Sequence, residues 1–181
     1  MKKILIVATS LDGYIAQSKE QIATAWTSEE DRKWFNKISK EIGVMIMGRQ
    51  TYETIGFPLP GRKTVVMTRD KSFEAEKIEN FQVDSEKKLY KTGEKTPEEI
   101  MAILADKGLV EVAICGGARV YEAFLRAKMV DELYLTVEAV FLGKGIKLLE
   151  VNENEVFEPL KLKILDKIEL SKQTTVYHLE I

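Results

Sequence analysis

Apolar and polar positions follow two rhythms along the chain. Lys3–Ser10, Val44–Met47, Lys63–Arg69, Glu111–Cys115 and Glu132–Val140 are short apolar runs bounded by Gly, Pro or charged residues, and they predict buried strands. Between them, Ser28–Ile42, Arg49–Ile55 and Ala118–Lys128 carry helical periodicity. Thr96-Pro97-Glu98-Glu99 adds a strong helix start: a Thr cap, Pro at the first helical position, and Glu three residues after the cap. That helix is expected to run to about Lys107 and stop at Gly108. Two alternating runs, Leu160–Leu170 and Thr174–Ile181, flank a short polar turn and predict an antiparallel hairpin. The charged segment Asp70–Lys95 offers only one candidate strand, at Phe81–Val83. Strands alternating with helices and closing on a hairpin give an α/β class. The expected architecture is a doubly wound, mostly parallel sheet with helices on both faces and an antiparallel C-terminal edge.

Length and composition narrow the picture. A chain of 181 residues with 45% hydrophobic content suits one domain over residues 1–181 with a sizeable core. Net charge is −2 and no basic block occurs, which argues against nucleic acid or an anionic membrane as partner. The apolar run Ile4–Ser10 is too short for a signal peptide or a membrane span. One cysteine excludes an internal disulfide and fits a reducing cytoplasm, and one cysteine with one histidine leaves no zinc site of the usual kind. The expectation is a cytoplasmic protein without a metal.

One carboxylate is out of place. Successive helical residues turn by about 100°, so relative to Asp31 the side chains of Ile38, Ile42, Phe35 and Trp34 fall near −20°, +20°, +40° and −60°. Asp31 therefore sits within the apolar stripe, while Glu29, Glu30, Arg32, Lys33, Lys37, Lys40 and Glu41 lie off it. Two explanations stand. Ser28 followed by Asp31 has the spacing of a capping box. Alternatively, Asp31 faces a cleft in which burial raises its pKa and lets it bind or protonate a substrate.

Two strand-to-helix junctions are candidate phosphate sites. The stretch from Met47-Gly48-Arg49-Gln50-Thr51 through Pro58-Leu59-Pro60-Gly61-Arg62-Lys63 joins a buried run to a helix start and then turns into Thr64-Val65-Val66-Met67-Thr68. A helix start offers free N–H groups and a positive dipole end. Cys115-Gly116-Gly117-Ala118-Arg119-Val120-Tyr121 places two glycines at a similar junction, where backbone can approach a pyrophosphate; the same dipeptide also makes a simple tight turn. Arg49, Arg69 and Arg119 stand at or just beyond strand ends, the edge where such sheets bind ligands. As surface residues they would only be solvated; together they suit a cofactor with an extra phosphate.

These blocks resemble the dihydrofolate reductase family. Ile6-Val7-Ala8-Thr9-Ser10-Leu11-Asp12-Gly13-Tyr14-Ile15-Ala16 is similar to its first strand and turn, and Trp26 followed by Asp31, Trp34 and Phe35 to its tryptophan and catalytic carboxylate. Met47–Lys63 and Gly116–Tyr121 match its two cofactor loops, and Leu133-Tyr134-Leu135-Thr136 its threonine-bearing strand. The resemblance implies that Asp31 grips the amino-pyrimidine edge of a pterin and assists N5 protonation, supported by Thr136 and Trp26. It implies a substrate pocket from Val7, Phe35, Ile55, Leu59 and Cys115, with Arg62 on the glutamyl α-carboxylate. It assigns NADPH to Ala8 and Ile15 at the nicotinamide; to Gly48, Arg49, Gln50, Thr51, Gly116, Gly117, Ala118, Arg119, Val120 and Tyr121 at the phosphates; and to Thr68 and Arg69, the latter sharing the 2′-phosphate with Arg49. The family's cis bond would fall between Gly116 and Gly117.

Departures from the family pattern are equally specific. The Ala16–Trp26 loop is longer than in many members, Ala25 replaces a common proline, and Arg32 occupies a usually apolar position. Ser10–Ala16, Val130-Asp131-Glu132-Leu133 and Leu142-Gly143-Lys144-Gly145 also resemble the riboflavin-pathway reductase domain, and the last two the dimeric thermophilic reductases. The leading expectation is NADPH-dependent reduction of 7,8-dihydrofolate to tetrahydrofolate by hydride transfer to pterin C6, with a homodimer in view. Alternatives are a riboflavin-type reductase acting on a ribosylaminopyrimidine phosphate, and a catalytically silent NADPH-binding module. The last would need no inward carboxylate.

Overall fold

A computed structural model describes residues 1–18, 20–21, 23–151 and 158–181. Residues 19 and 22 of the Ala16–Trp26 loop lie outside the described residues. In chain order the elements are β1 (Lys2–Ser10), β2 (Tyr14–Ala16), α1 (Glu29–Ile42), β3 (Val44–Gly48), α2 (Arg49–Ile55), β4 (Lys63–Met67), β5 (Glu76–Lys77) and β6 (Leu89–Lys91). They continue with α3 (Pro97–Asp106), β7 (Glu111–Ile114), α4 (Ala118–Arg126), β8 (Glu132–Glu138), β9 (Ile146–Lys147), β10 (Lys163–Glu169) and β11 (Thr174–Glu180).

Nine strands form one sheet in the order β10-β11-β8-β1-β7-β3-β4-β6-β5. Pairing is parallel from β8 to β5, and β11 joins β8 and β10 antiparallel, which is the expected C-terminal hairpin. Alternation along the strands builds a core on each face. Leu5, Val7, Val44 and Ile46 pack with Ile100 and Leu104 of α3 and Val120 and Phe124 of α4. Ile4, Ile6, Met45 and Met47 pack with Trp34, Phe35 and Ile38 of α1 and Tyr52 and Ile55 of α2. Helices thus cover both faces, as parallel pairing demands.

Helix starts obey their sequence signals. Ser28 caps α1 through the Asp31 N–H, and Thr96 and Glu99 form a complete capping box on α3. The expected strand at Phe81–Val83 is a correction. Phe81 instead follows a short 3₁₀ turn at Ile78–Asn80 and packs its ring against Tyr90, centroids 4.8 Å apart. Its apolar character serves burial from a turn, and β5 and β6 supply the pairing in that segment. The β2–β9 pair has no signal in the periodicity, because three and two residues are too few to show an alternation.

Candidate active site

A cavity of about 1170 Å³ runs along the carboxyl ends of β1, β3, β4, β7 and β8, the edge where parallel α/β sheets take ligands. Of the side chains and backbone named from sequence, Val7, Ala8, Ile15, Asp31, Phe35, Gly48, Arg49, Gln50, Thr51, Ile55, Thr68, Arg69, Cys115, the Gly116–Tyr121 stretch and Thr136 all line it. Trp26, Leu59 and Arg62 do not.

Asp31 reaches the cavity from the first turn of α1 and is 7% exposed. Burial pushes its carboxyl above the usual carboxylate range; Thr136 pulls the value back, Glu138 pushes it up, and Thr27 and Arg32 pull it back. Thr27 Oγ1 is itself buried with no formed hydrogen bond among the described residues, so its influence is one of nearness. The Trp26 indole N–H is likewise buried without a partner there. The Ser28 hydroxyl accepts the Asp31 N–H at 3.1 Å, but the Ser28 N–H goes to Glu138 Oε1 at 2.8 Å. Asp31 therefore supplies no carboxylate to the cap, and the capping-box explanation of its position covers only its backbone.

The two glycine junctions form a common floor. Gly48 donates its N–H to the Gly116 carbonyl at 2.7 Å. A methyl at Gly117 would sit 3.1 Å from Thr51 Oγ1, and one at Gly48 would sit 3.3 Å from Val120 Cγ2. Gly116 has φ +110°, and a methyl there would come within 2.9 Å of the Tyr121 hydroxyl, which donates to Ile6 O at 2.8 Å. The Gly116–Gly117 bond is cis. Gly117 caps α4 with no side chain over its N–H groups, in contrast to the capped α1 and α3.

Charge surrounds that floor unevenly. Arg69 and Arg119 are exposed at the cavity, whereas Arg49 is shared between Glu53 at 3.1 Å and Asp70 at 3.4 Å. Burial pushes the Cys115 thiol up to about 12, so it serves as an apolar wall rather than a nucleophile. Arg62 is 6% exposed and donates from Nη1 to Ser39 Oγ at 2.6 Å, from Nη2 to Asn36 Oδ1 at 3.1 Å and from Nε to Pro60 O at 3.3 Å. Burial pulls its pKa down, and none of these three partners is a counter-ion.

Sequence reasoning missed Glu138, Thr27 and the β9 residues Ile146 and Lys147, which also border the cavity or its carboxylate. Glu138 had a signal: it lies two residues beyond Thr136 in one strand, hence on the same face. No described helix is long and apolar enough to cross a membrane.

Comparison with known proteins agrees with this geometry. A family model for dihydrofolate reductase matches residues 3–155. The type 3 dihydrofolate reductase of Salmonella typhimurium is 35% identical over 112 residues, covering 61% of this chain and 57% of that protein. Among solved structures, a Shewanella sp. PV-4 protein assigned to riboflavin biosynthesis superposes with TM-score 0.78 at 22% identity, over 99% of this chain and 98% of the other. A dihydrofolate reductase of Enterococcus faecalis complexed with NADP(H) and RAB-propyl superposes with TM-score 0.68 at 24% identity, over 98% and 94%. At these identities the structures speak for the fold, and the matching family model for the lineage: the chain belongs to the dihydrofolate reductase family.

Proposed function

We propose that this protein reduces 7,8-dihydrofolate to tetrahydrofolate with NADPH as hydride donor. The observation that carries the reading is the Asp31 carboxyl: buried, free of cap duty, and facing a cavity built at the sheet's carboxyl edge. A bound NADPH would supply the hydride. The chain's residues fit it, because a methyl at Gly116 would meet the Tyr121 hydroxyl at 2.9 Å and one at Gly117 would press on Thr51 at 3.1 Å, and the start of α4 is left without a side-chain cap. Arg69 and Arg119 would meet phosphate charge, with Arg49 joining once it exchanges Asp70 for a phosphate.

On the opposite wall Asp31 would hold the amino-pyrimidine edge of the pterin and release a proton toward N5. Thr136 would fix the carboxyl's orientation, and Val7, Phe35 and Ile55 would exclude water from the pterin face. Such a general acid contributes about 10²–10⁴-fold. The single cysteine is in keeping with a cytoplasmic location. A homodimer would use the outer edge of β10, which pairs with no other strand among the described residues and where Leu162, Ile164 and Leu165 are exposed, and light scattering after gel filtration reads its mass.

One observation favours a second reading. Arg62 lies off the cavity while exposed Arg32 stands on it beside Asp31, an arrangement that suits an anionic group such as the phosphate of a ribosylaminopyrimidine. NADPH oxidation by the pure protein, with dihydrofolate and with that pyrimidine phosphate side by side, separates the two. Turnover of dihydrofolate alone supports the first reading, and turnover of the pyrimidine alone overturns it. Binding of NADPH with neither substrate turned over would leave the silent module.

A further inference from the structure

Glu138 completes the cap that Asp31 does not. At the end of β8 and 4% exposed, it accepts the Ser28 N–H at 2.8 Å and the Ser28 hydroxyl at 2.7 Å on one oxygen. Its other oxygen accepts the Thr174 hydroxyl of β11 at 2.8 Å. A carboxylate is an acceptor-only group, and these donors match it from two elements. No Lys, Arg or His among the described residues forms an ion pair with it. In an ordinary capping box the acid three residues into the helix would take the Ser28 N–H. Here that task belongs to a strand residue 110 positions away, and the helix acid is left to the cavity.

We propose that Glu138 is the positioning residue of Asp31: it provides the carboxylate the α1 cap requires, which leaves the Asp31 side chain facing the ligand. The proposal rests on the reading of Asp31 as proton donor. The charged and titratable groups that act on Asp31 are Glu138 from β8, Arg32 on α1 itself and Tyr121 from α4, beside the neutral hydroxyls of Thr27 and Thr136. Arg32 works against Glu138 but is exposed, where water weakens its field; Glu138 acts through the interior. Tyr121 is held neutral by burial.

The test uses the ligand-free protein and the active enzyme together. Carbon-13 carboxyl NMR follows the Asp31 resonance against pH in wild type and in the variant. In Glu138→Gln the Asp31 midpoint should fall, because Glu138 is one of the groups that push it up and the cap that holds the Asp31 side chain toward the cavity is weakened. The alkaline limb of kcat/KM should move down with it. A helix cap acting only as structure would lower Tm without moving either. An unmoved Asp31 midpoint in folded Glu138→Gln overturns the proposal. If that variant does not fold, Thr174→Val, which removes the hydroxyl donor on the other Glu138 oxygen, takes its place, and an unmoved Asp31 midpoint there overturns the proposal. Asp31→Asn separates this from the underlying reading: full activity there removes Asp31 as proton donor and the proposal with it. An inactive Asp31→Asn beside an unmoved midpoint removes Glu138 alone.

Discussion

Gly48 and Gly116 are joined by a backbone hydrogen bond of 2.7 Å, which locks the starts of α2 and α4 against each other. The floor of the cavity is therefore one unit rather than two loops. Gly116→Ala should disturb all of it, since a methyl at φ +110° meets the Tyr121 hydroxyl at 2.9 Å and endangers its bond to Ile6 O. The expected loss is about 1–3 kcal/mol, the cost of an unsatisfied buried hydrogen-bonding group. Urea denaturation measures it, and wild-type stability would mean that Tyr121 yields freely.

Asp31→Asn should cost activity and add stability. Activity near neutral pH should fall about 10²–10⁴-fold with NADPH binding retained. For stability the sign follows from linkage. Burial raises the folded pKa of Asp31 above its unfolded value of 3.8, so the folded state holds this proton more tightly. The resulting stabilisation is complete below the unfolded value and is lost as pH rises through the folded one. Above that folded value the ionised, desolvated carboxylate is a burden that asparagine lacks. Thermal melts should show the variant above wild type at pH 7, by about 2–4 °C per kcal/mol recovered, and the gap should close in acid. A variant less stable at pH 7 would show that the first-turn charge outweighs desolvation.

Cofactor choice should depend on Asp70 as much as on the arginines. Arg69 has a free approach to the cavity, while Arg49 is held by Glu53 and Asp70. Hydrogen bonds to charged groups contribute about 1.5–3 kcal/mol before exposure reduces them. NADPH should thus bind more tightly than NADH, Arg69→Ala should weaken NADPH alone, and Asp70→Asn should tighten NADPH by releasing Arg49. Fluorescence titration at fixed ionic strength reads all three. Equal affinities for the two cofactors in wild type would remove the 2′-phosphate role.

What could be read from sequence was whatever depended on local pattern. The caps at Ser28 and Thr96, the inward Asp31 and both glycine junctions follow from periodicity and short spacing, and they fall where expected. Phe81 misled because burial from a turn and burial from a strand leave the same apolar signature. Glu138 and Thr174 were illegible as partners of Ser28, because their contact is set by the pairing of β11 with β8 and not by proximity in the chain. Arg62 was placed correctly after its proline turn, yet its direction depends on α1, which sequence spacing does not orient.

Arg62 decides between the two substrates. It ties the turn after Gly61 to α1 through Ser39 and Asn36, and Ser39 in turn donates to the carbonyl of Phe35, a residue on the cavity wall. Its three partners are neutral, and burial disfavours its charge, so an anion arriving beside Phe35 would supply the counter-ion that the protein withholds. A glutamyl carboxylate would have to displace the Ser39 and Asn36 bonds to reach the guanidinium, and there it would take two parallel hydrogen bonds, a fork that lysine does not offer. Arg62→Lys should lower stability by about 1–3 kcal/mol through the lost bonds to Ser39 and Asn36. It should also raise KM for dihydrofolate with little change in kcat, because the contact is far from the reacting carbon and equal in ground and transition states. A pterin without the glutamyl tail should bind the variant as it binds wild type once the folded fraction is matched. If tailed and tail-less ligands lose equally, Arg62 acts only through α1, and the pyrimidine phosphate beside Arg32 becomes the better substrate.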